Sequence, residues 1–304
     1  MNRRKLFAYF GLIFAVVSWG ASFVATKVAL REVQPVTVVW LRFAIGVMIL
    51  GLAVVIKDQW AVPNKKDFAY FSLLGFIGIT FHQWLQSTGL TTSQASTTAW
   101  IVATTPVFMA ILGWLVLKEI LSWFQVVGIL LAAMGVILVV SEGMVDNLFD
   151  GGFGRPGDLL ILLSAPNWAV FSVLSRYGLN RHPTTRMMFF VMTMGWLFTT
   201  VFFFAGPGLS DVRNLSIEGW MGILFLGIFC SGFAYIFWYE GLHVLSVAQA
   251  GSFVYLEPFI TVILAAIILD ENLLWTSILG GIIILVGIWL VQTKINKPPL
   301  ENRT

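Results

Sequence analysis

The sequence predicts an all-α membrane protein, with ten transmembrane helices arranged as two inverted five-helix repeats. Three observations carry that prediction. Over 304 residues the chain is 58% hydrophobic and 11% charged, which no water-soluble domain of that size would carry without aggregating. Ten predominantly apolar segments each come close to the ~20 residues needed to cross ~30 Å of hydrocarbon. A set of residues also occurs twice: Gly89, Pro106, Glu119, Trp123, Gly128 and Gly135 return 152 residues on, without a gap, as Gly241, Pro258, Glu271, Trp275, Gly280 and Gly287. Aliphatic coincidences mean little in so apolar a sequence, but Pro, Glu and Trp are scarce here, so one register held across them argues for duplication.

The first span, 7–29, follows Arg3-Arg4-Lys5 and imitates a secretory signal. Its apolar run continues to Leu30, contains Trp19 and shows no convincing small-x-small cleavage site, so it reads as an uncleaved helix. The second, 36–56, opens after Pro35, and the third, 68–90, carries Gly75, Gly78 and Gly89. The fourth, 96–117, contains Pro106, and the fifth, 121–140, starts near Trp123. Spans six to eight follow at 157–178, 185–205 and 218–240, the last holding the lone cysteine, Cys230, which excludes an internal disulfide. The ninth, 247–269, contains Pro258, and the tenth is 273–293. The first repeat therefore occupies 6–141 and the second 157–293, joined by an external loop at 142–156 and followed by a cytoplasmic tail at 294–304. No stretch is left for a separate soluble domain.

Orientation follows from the placement of Lys and Arg. With a cytoplasmic N-terminus the inside collects thirteen: Arg3, Arg4, Lys5, Lys57, Lys65, Lys66, Lys118, Arg176, Arg181, Arg186, Lys294, Lys297 and Arg303. The outside keeps three, Arg31, Arg155 and Arg213, and holds acids such as Glu142, Asp158, Asp211 and Glu218 instead. Both termini are expected in the cytoplasm of a plasma (inner) membrane protein, and the net charge of +3 reflects this loop bias rather than affinity for nucleic acid. Five spans per repeat place the second copy upside down relative to the first. Lys118-Glu119 at an internal helix end is accordingly replaced by Asp270-Glu271 at the equivalent external end. Inverted repeats recur in transporters, because exchanging the conformations of two similar halves opens a midplane site to one side and then the other.

Trp19-Gly20-Ala21-Ser22-Phe23 with Lys27, the stretch from Pro35 to Arg42, Pro106 through Lys118-Glu119, and Tyr255-Leu256-Glu257-Pro258 through Asp270-Glu271 resemble the two EamA domains of the drug/metabolite transporter superfamily. The resemblance covers essentially the whole chain. It implies a ten-helix inner-membrane transporter, usually an exporter of amino acids, related metabolites or drugs, with a central cavity between the halves. The second half departs from the pattern: Trp168 and Arg176 keep the spacing of Trp19 and Lys27, but Ala169 replaces the glycine, and Phe190 stands near where Arg42 would map. The two halves are therefore expected to contribute unequally to binding.

Polar groups at membrane depth are costly and normally face the bundle interior or water, which makes them the candidates for a site. In span three Gly75, Gly78, His82, Gln86 and Gly89 recur at steps of three or four and so share a helical face. The equivalent stripe in span eight is Gly227, Cys230, Ala234, Trp238 and Gly241. His82 and Gln86 are expected either to meet solute or to hydrogen-bond neighbouring helices. Glu257 lies near the middle of span nine, immediately before Pro258, whose missing N–H frees a carbonyl one turn earlier. It is placed to couple to protons or receive a cationic group, or else to form a structural ion pair or cap the break. Its repeat equivalent is the uncharged Thr105. Lys27 and Arg42 are the other intramembrane charges, both within snorkelling reach of the outer surface. For Arg42 both helix pairing and carboxylate binding are open. Trp19, Trp100, Trp168 and Trp238 are the aromatic candidates for lining a cavity, and Trp100 shares a face with Thr97 and Thr104.

Zinc-protease, nucleophile-elbow and Walker motifs are all missing from the sequence, and the three histidines lie in separate segments, so no metal or other cofactor and no enzymatic activity is indicated. The expected function is secondary export of a small amphipathic solute by alternating access, as a monomer or homodimer in the lipid bilayer. The substrate-binding set is Trp19, His82, Gln86, Trp100, Thr104, Trp168, Trp238 and Glu257, with Glu257 the coupling candidate. A sugar or nucleotide-sugar carrier is the alternative transport reading, although phosphate-bearing solutes usually require convergent Arg or Lys groups that are few here. A facilitative channel fits an inverted duplication less well.

The charge bias predicts that cysteines introduced in 143–152 and 208–214 are labelled by an impermeant maleimide from outside, and those in 60–66 and 180–184 are not. External labelling of 60–66 would overturn the inverted-repeat topology.

Overall fold

The computed structural model describes residues 3–118, 120–142, 154–242, 244–245 and 253–292, and the described residues contain helices and no strands. Glu119, His243, most of the external loop, the start of span nine and the tail lie outside the described residues. Nine helices are long and apolar enough to cross a membrane, and the described part of span nine, Glu257–Ile268, is a shorter apolar helix. Spans one, two and three are Arg3–Ala29, Pro35–Ile56 and Lys65–Leu90, and span four runs as Ala95–Ala103 and Thr105–Leu117. Spans five to eight are Trp123–Val140, Pro156–Leu179, Thr184–Ala205 and Ile217–Gly241, and span ten is Trp275–Gln292. The chain is a ten-helix membrane protein.

Local chemistry sets several of these starts. The Asn64 side chain accepts from the N–H groups of Lys66 and Asp67, Ser122 forms a capping box with Gln125, and Pro35 and Pro156 occupy first-turn positions where a missing N–H costs nothing. Span four ends at Lys118 with φ 53°, and the repeat-equivalent Asp270 has φ 52°. Two non-glycine residues held in the left-handed region at one repeat position show that the turn geometry was duplicated along with the helices.

The packing survives exchange of the two halves. Span one packs on spans eight and nine, as span six packs on spans three and four. Span eight packs on span two as span three packs on span seven, and spans two and seven, like five and ten, face each other. With five spans per repeat, that exchange reverses chain direction, as a two-fold axis in the membrane plane requires. Met48, Leu52, Leu115, Leu130, Met134, Phe202 and Trp289 are exposed around the perimeter, where acyl chains take the place of a protein core.

The seam between spans five and ten depends on paired glycines. A Cβ added at Gly135 would sit 2.6 Å from the Gly280 carbonyl oxygen, and one at Gly280 would sit 2.8 Å from that of Gly135; Gly128 and Gly287 are opposed in the same way. The obstacle is backbone, which cannot step aside as a flexible side chain would. These four glycines are among the repeated ones of the sequence, and close helix approach explains them.

Turns of one half are tied to helices of the other. Glu32, between spans one and two, accepts from the N–H and hydroxyl of Ser216, which caps span eight. These bonds hold the exposed Glu32 carboxyl below its ordinary pKa. The tether is therefore complete above the unfolded carboxylate value and is lost as pH falls through the lowered folded one.

Replacing Gly135 or Gly280 with Ala is expected to destabilise the protein by about 1–3 kcal/mol, through forced separation of spans five and ten. Denaturant unfolding in detergent measures this, and unchanged stability in both variants would show that the seam tolerates a methyl group.

Candidate functional site

Four irregularities interrupt the spans near their middles, and they come in repeat-related pairs. Span three passes through a π-helical segment, Phe76–Phe81, and span eight through another, Leu226–Phe233. Span four breaks at Thr104, before Thr105-Pro106, and span nine at Leu256, before Glu257-Pro258. A π segment inserts a residue into the helical register, and a proline withholds a donor, so both leave carbonyls that hydrocarbon cannot satisfy.

The protein supplies partners for them from within. Asn167 Nδ2 of span six donates to the carbonyl of Ile77 at 2.9 Å, inside the π segment of span three. Trp19 Nε1 of span one donates to the carbonyl of Cys230 at 3.1 Å, inside that of span eight. At the span-four break the hydroxyls of Thr104 and Thr105 turn back onto Ile101 and Val102. At the span-nine break Thr261 Oγ1 bonds the carbonyls of Gly20 and Glu257. Gly20 is required there, because a Cβ on it would lie 2.8 Å from the Glu257 carbonyl oxygen.

The π segment also splits the stripe expected on span three. Gly75 meets span seven at Val191 and Gly195, whereas Gly78 and Gly89 meet span six at Phe171 and Ile161. The stripe of span eight divides in the same way, with Gly227 against Ile45 of span two, Cys230 bonded to the Ser18 carbonyl of span one, and Gly241 against Leu12 of span one. One added residue rotates the helix beyond it, so a single apolar stripe serves two neighbours.

Around these interruptions several candidate residues converge. His82 is buried, its ring 4.7 Å from that of Trp168, and its Nδ1 has no partner among the described residues. Trp19 stands 5.2 Å from Trp238 and 5.8 Å from Tyr235, ring centre to ring centre. Glu257 is half-buried in the first turn of its half-helix, where the backbone N–H groups favour an anion. Its carboxylate has no hydrogen-bond or ion-pair partner among the described residues. Arg42 does not snorkel: it is 5% exposed, drawn inward by Ser231 Oγ at 3.1 Å from Nε and Gln83 Oε1 at 3.3 Å from Nη1. Gln86 lies a turn beyond His82 and is half-buried.

Other candidates lie apart. Trp100 is 2% exposed and packs edge-on to Phe259 and against Gly281 of span ten, within an apolar cluster shared by spans one, three to six, nine and ten. Thr104 is buried at the break with its hydroxyl committed to the backbone. Lys27 sits near the end of span one, bonded to the Ser93 carbonyl and 3.6 Å from Glu271. Glu271 in turn accepts from the N–H groups of Ala95 and Ser96 and the Ser96 hydroxyl, capping span four from the other half. Peripheral depressions of about 540 Å³ at Trp114, Lys118 and Val126, and of about 220 Å³ at Phe7, Gly11 and Phe237, touch none of the converging residues.

Sequence reasoning missed Gln83, Ser231 and Asn167. Gln83 and Asn167 carry a signal in hindsight, as amides at membrane depth next to His82 and Trp168. Ser231 carries none, because serine is unremarkable inside a helix.

Comparison with known proteins agrees with this architecture. Residues 6–141 and 155–293 each match the EamA-like transporter family. An uncharacterized transporter of Archaeoglobus fulgidus is 28% identical over 93% of this chain and 96% of its own. The uncharacterized transporter YdfC of Bacillus subtilis is 26% identical over 92% of this chain and 89% of its own. A crystal structure with 19% sequence identity covers 95% of this chain and 96% of its own at a TM-score of 0.63, a likeness of fold. The matches to both halves make the chain a member of the EamA-like transporter family, a multi-pass membrane transporter.

Proposed function

We propose that this transporter exports a small amphipathic solute, such as an amino acid or related metabolite, across the plasma (inner) membrane by alternating access, with both termini in the cytoplasm. The observation that carries this reading is the pairing of two π segments and two proline breaks by the two-fold relation, with His82, Glu257 and the buried Arg42 set among them. Discontinuous helices that meet at mid-membrane provide backbone ends and side chains for a solute, and related halves provide two equivalent closures. His82, Trp168, Trp19 and Trp238 form the apolar and hydrogen-bonding walls, and Gln86 adds an amide one turn away. Trp100 and Thr104 support the site from the span-four side rather than line it. In this reading the repeats divide at the loop 142–156.

Glu257 is the coupling group in this reading. Its counterpart Thr105 turns its hydroxyl onto the Val102 carbonyl that Pro106 frees, whereas the Glu257 carboxylate makes no such bond among the described residues and is available.

In proteoliposomes, Glu257→Gln is expected to reduce flux driven by a pH gradient to background while counterflow exchange persists, since the amide retains size but cannot cycle a proton. Unchanged gradient-driven flux eliminates Glu257 as the coupling group.

His82→Leu, and less strongly Gln86→Leu, should weaken solute affinity several-fold, about 1 kcal/mol per lost hydrogen bond, in a folded and inserted protein. Unaltered affinity and transport in both variants would make this face packing alone.

A further inference from the structure

Arg42 is the most deeply placed positive charge of the described bundle, seven residues into span two and so about 10 Å along the helix from Pro35. A guanidinium offers five N–H donors and takes its strongest partners as carboxylates in a two-pronged pairing. Here the described residues give it two neutral acceptors, Ser231 on span eight at 3.1 Å and Gln83 on span three at a longer 3.3 Å, and the face of the Phe43 ring, 5.1 Å from Cζ to its centre. No carboxylate lies within ion-pair distance of it among the described residues. Lys27, Arg31, Lys57 and Arg155, by contrast, each hold an acid. A buried charge without a counter-ion costs far more than a buried pair, so its retention calls for a reason outside the resting fold.

Its surroundings supply one. Ser231 belongs to the π segment of span eight and follows Cys230, whose carbonyl takes the Trp19 indole N–H. Gln83 follows His82 on span three. Arg42 is thus joined through single neighbours to both the His82–Trp168 and the Trp19–Trp238 walls. The second half has nothing comparable, since Phe190 stands near the related position.

We infer that Arg42, oriented by Gln83 and Ser231, is the anion-recognising residue of the transport site and receives a carboxylate of the solute. This rests on the transport reading above. The pairing is written for a carboxylate because no second Lys or Arg of the described residues adjoins Arg42, and a phosphate monoester would call for more than one positive group. Binding then supplies the missing counter-ion, so the loaded site is electrically satisfied where the empty one is not. Glu257, whose carboxylate has no partner among the described residues, remains for a proton or for an ammonium group of the same solute.

The test uses the full chain, purified in detergent, with matched probes: L-amino acids such as phenylalanine and leucine, their amides, and phenyl phosphate. Thermal shifts should show the carboxylates binding the native protein about ten- to a hundred-fold more tightly than the amides, the span expected for hydrogen bonds to a charged group. Arg42→Gln should abolish that preference while unfolding no more easily than the native protein without ligand, because it removes an unpaired buried charge. Arg42→Lys, which keeps the charge but loses the planar fork, should retain a weakened preference. The assignment is overturned if no carboxylate stabilises the native protein, if amides or phenyl phosphate bind as well as carboxylates, or if Arg42→Gln keeps the preference. Should Arg42→Gln not fold, undiminished carboxylate affinity in Arg42→Lys overturns it equally. Flux from proteoliposomes separates the two claims. No flux of any probe through the native protein refutes the transport reading, whereas equal flux of acid and amide through both native and Arg42→Gln proteins refutes the role of Arg42 alone.

Discussion

The constraint on which the rest of this structure depends is that a backbone carbonyl in hydrocarbon must find a donor within the protein. Two π segments and two proline breaks strip donors from the middle of four spans, and a lipid-facing helix could not absorb that loss. Both π segments receive a side-chain donor from the opposite half, whereas the span-four break is met by its own threonines. Asn167 reaches the π segment of span three, Trp19 reaches that of span eight, and Thr261 bridges the span-nine break to Gly20. Irregular backbone and inter-half packing therefore require one another. The π segments draw donors from the other half, and those bonds help fix how the halves dock.

On this symmetric frame the chemistry is asymmetric. Trp19 and Trp168 hold repeat-related places, yet one spends its indole N–H on the backbone while the other lies against His82. Glu257 answers Thr105, and Arg42 answers a phenylalanine. A duplicated unit supplies two equivalent closures, but a solute with distinct ends needs distinct contacts. Once the backbone demands are met, divergence is free to act on the side chains that do not meet them. Among the described residues, Arg42 has no counter-ion, the Glu257 carboxylate has no hydrogen-bond or ion-pair partner, and the Nδ1 of His82 has no hydrogen-bond partner.

Much of the architecture was legible because its determinants are local or repeated. Ten spans follow from segment length and apolarity, and the inversion follows from five spans per repeat with the exchange of Lys118 for Asp270. The shared register of Pro106 and Pro258 marks the breaks. The π segments were not legible, because glycine and aliphatic runs accommodate an inserted residue without altering composition, and a stripe read at steps of three or four passes straight through it. Partner choice was equally hidden. Glu271 stands out in the sequence as a repeated acid at a helix end, but that it caps span four depends on chain 176 residues away. Arg42 looked able to snorkel because a helical position fixes depth and not direction. Ser231 and Gln83, which pull it inward, lie on other helices.

The ties between halves differ in kind, and the difference bears on how an alternating cycle would run. At the end that the charge bias assigns to the outside, Lys27 meets Glu271, Ser93 meets Asp158, and Thr37 meets Asp211. At the opposite end Lys57 meets Glu240, Asp67 meets His182, and the Tyr70 hydroxyl bridges Leu174 and Gly178. Each of these polar ties crosses between the repeats, and those near the surface contribute little individually, typically below about 1 kcal/mol. Spans five and ten are held differently, by reciprocal glycine contacts that tolerate little sliding. Discrete polar ties at both ends and a rigid seam favour rocking about spans five and ten over wholesale separation. In the proposed cycle, solute and proton at the centre need only tip the balance between two sets of weak end contacts, which is within the differential binding energy that a small ligand can supply.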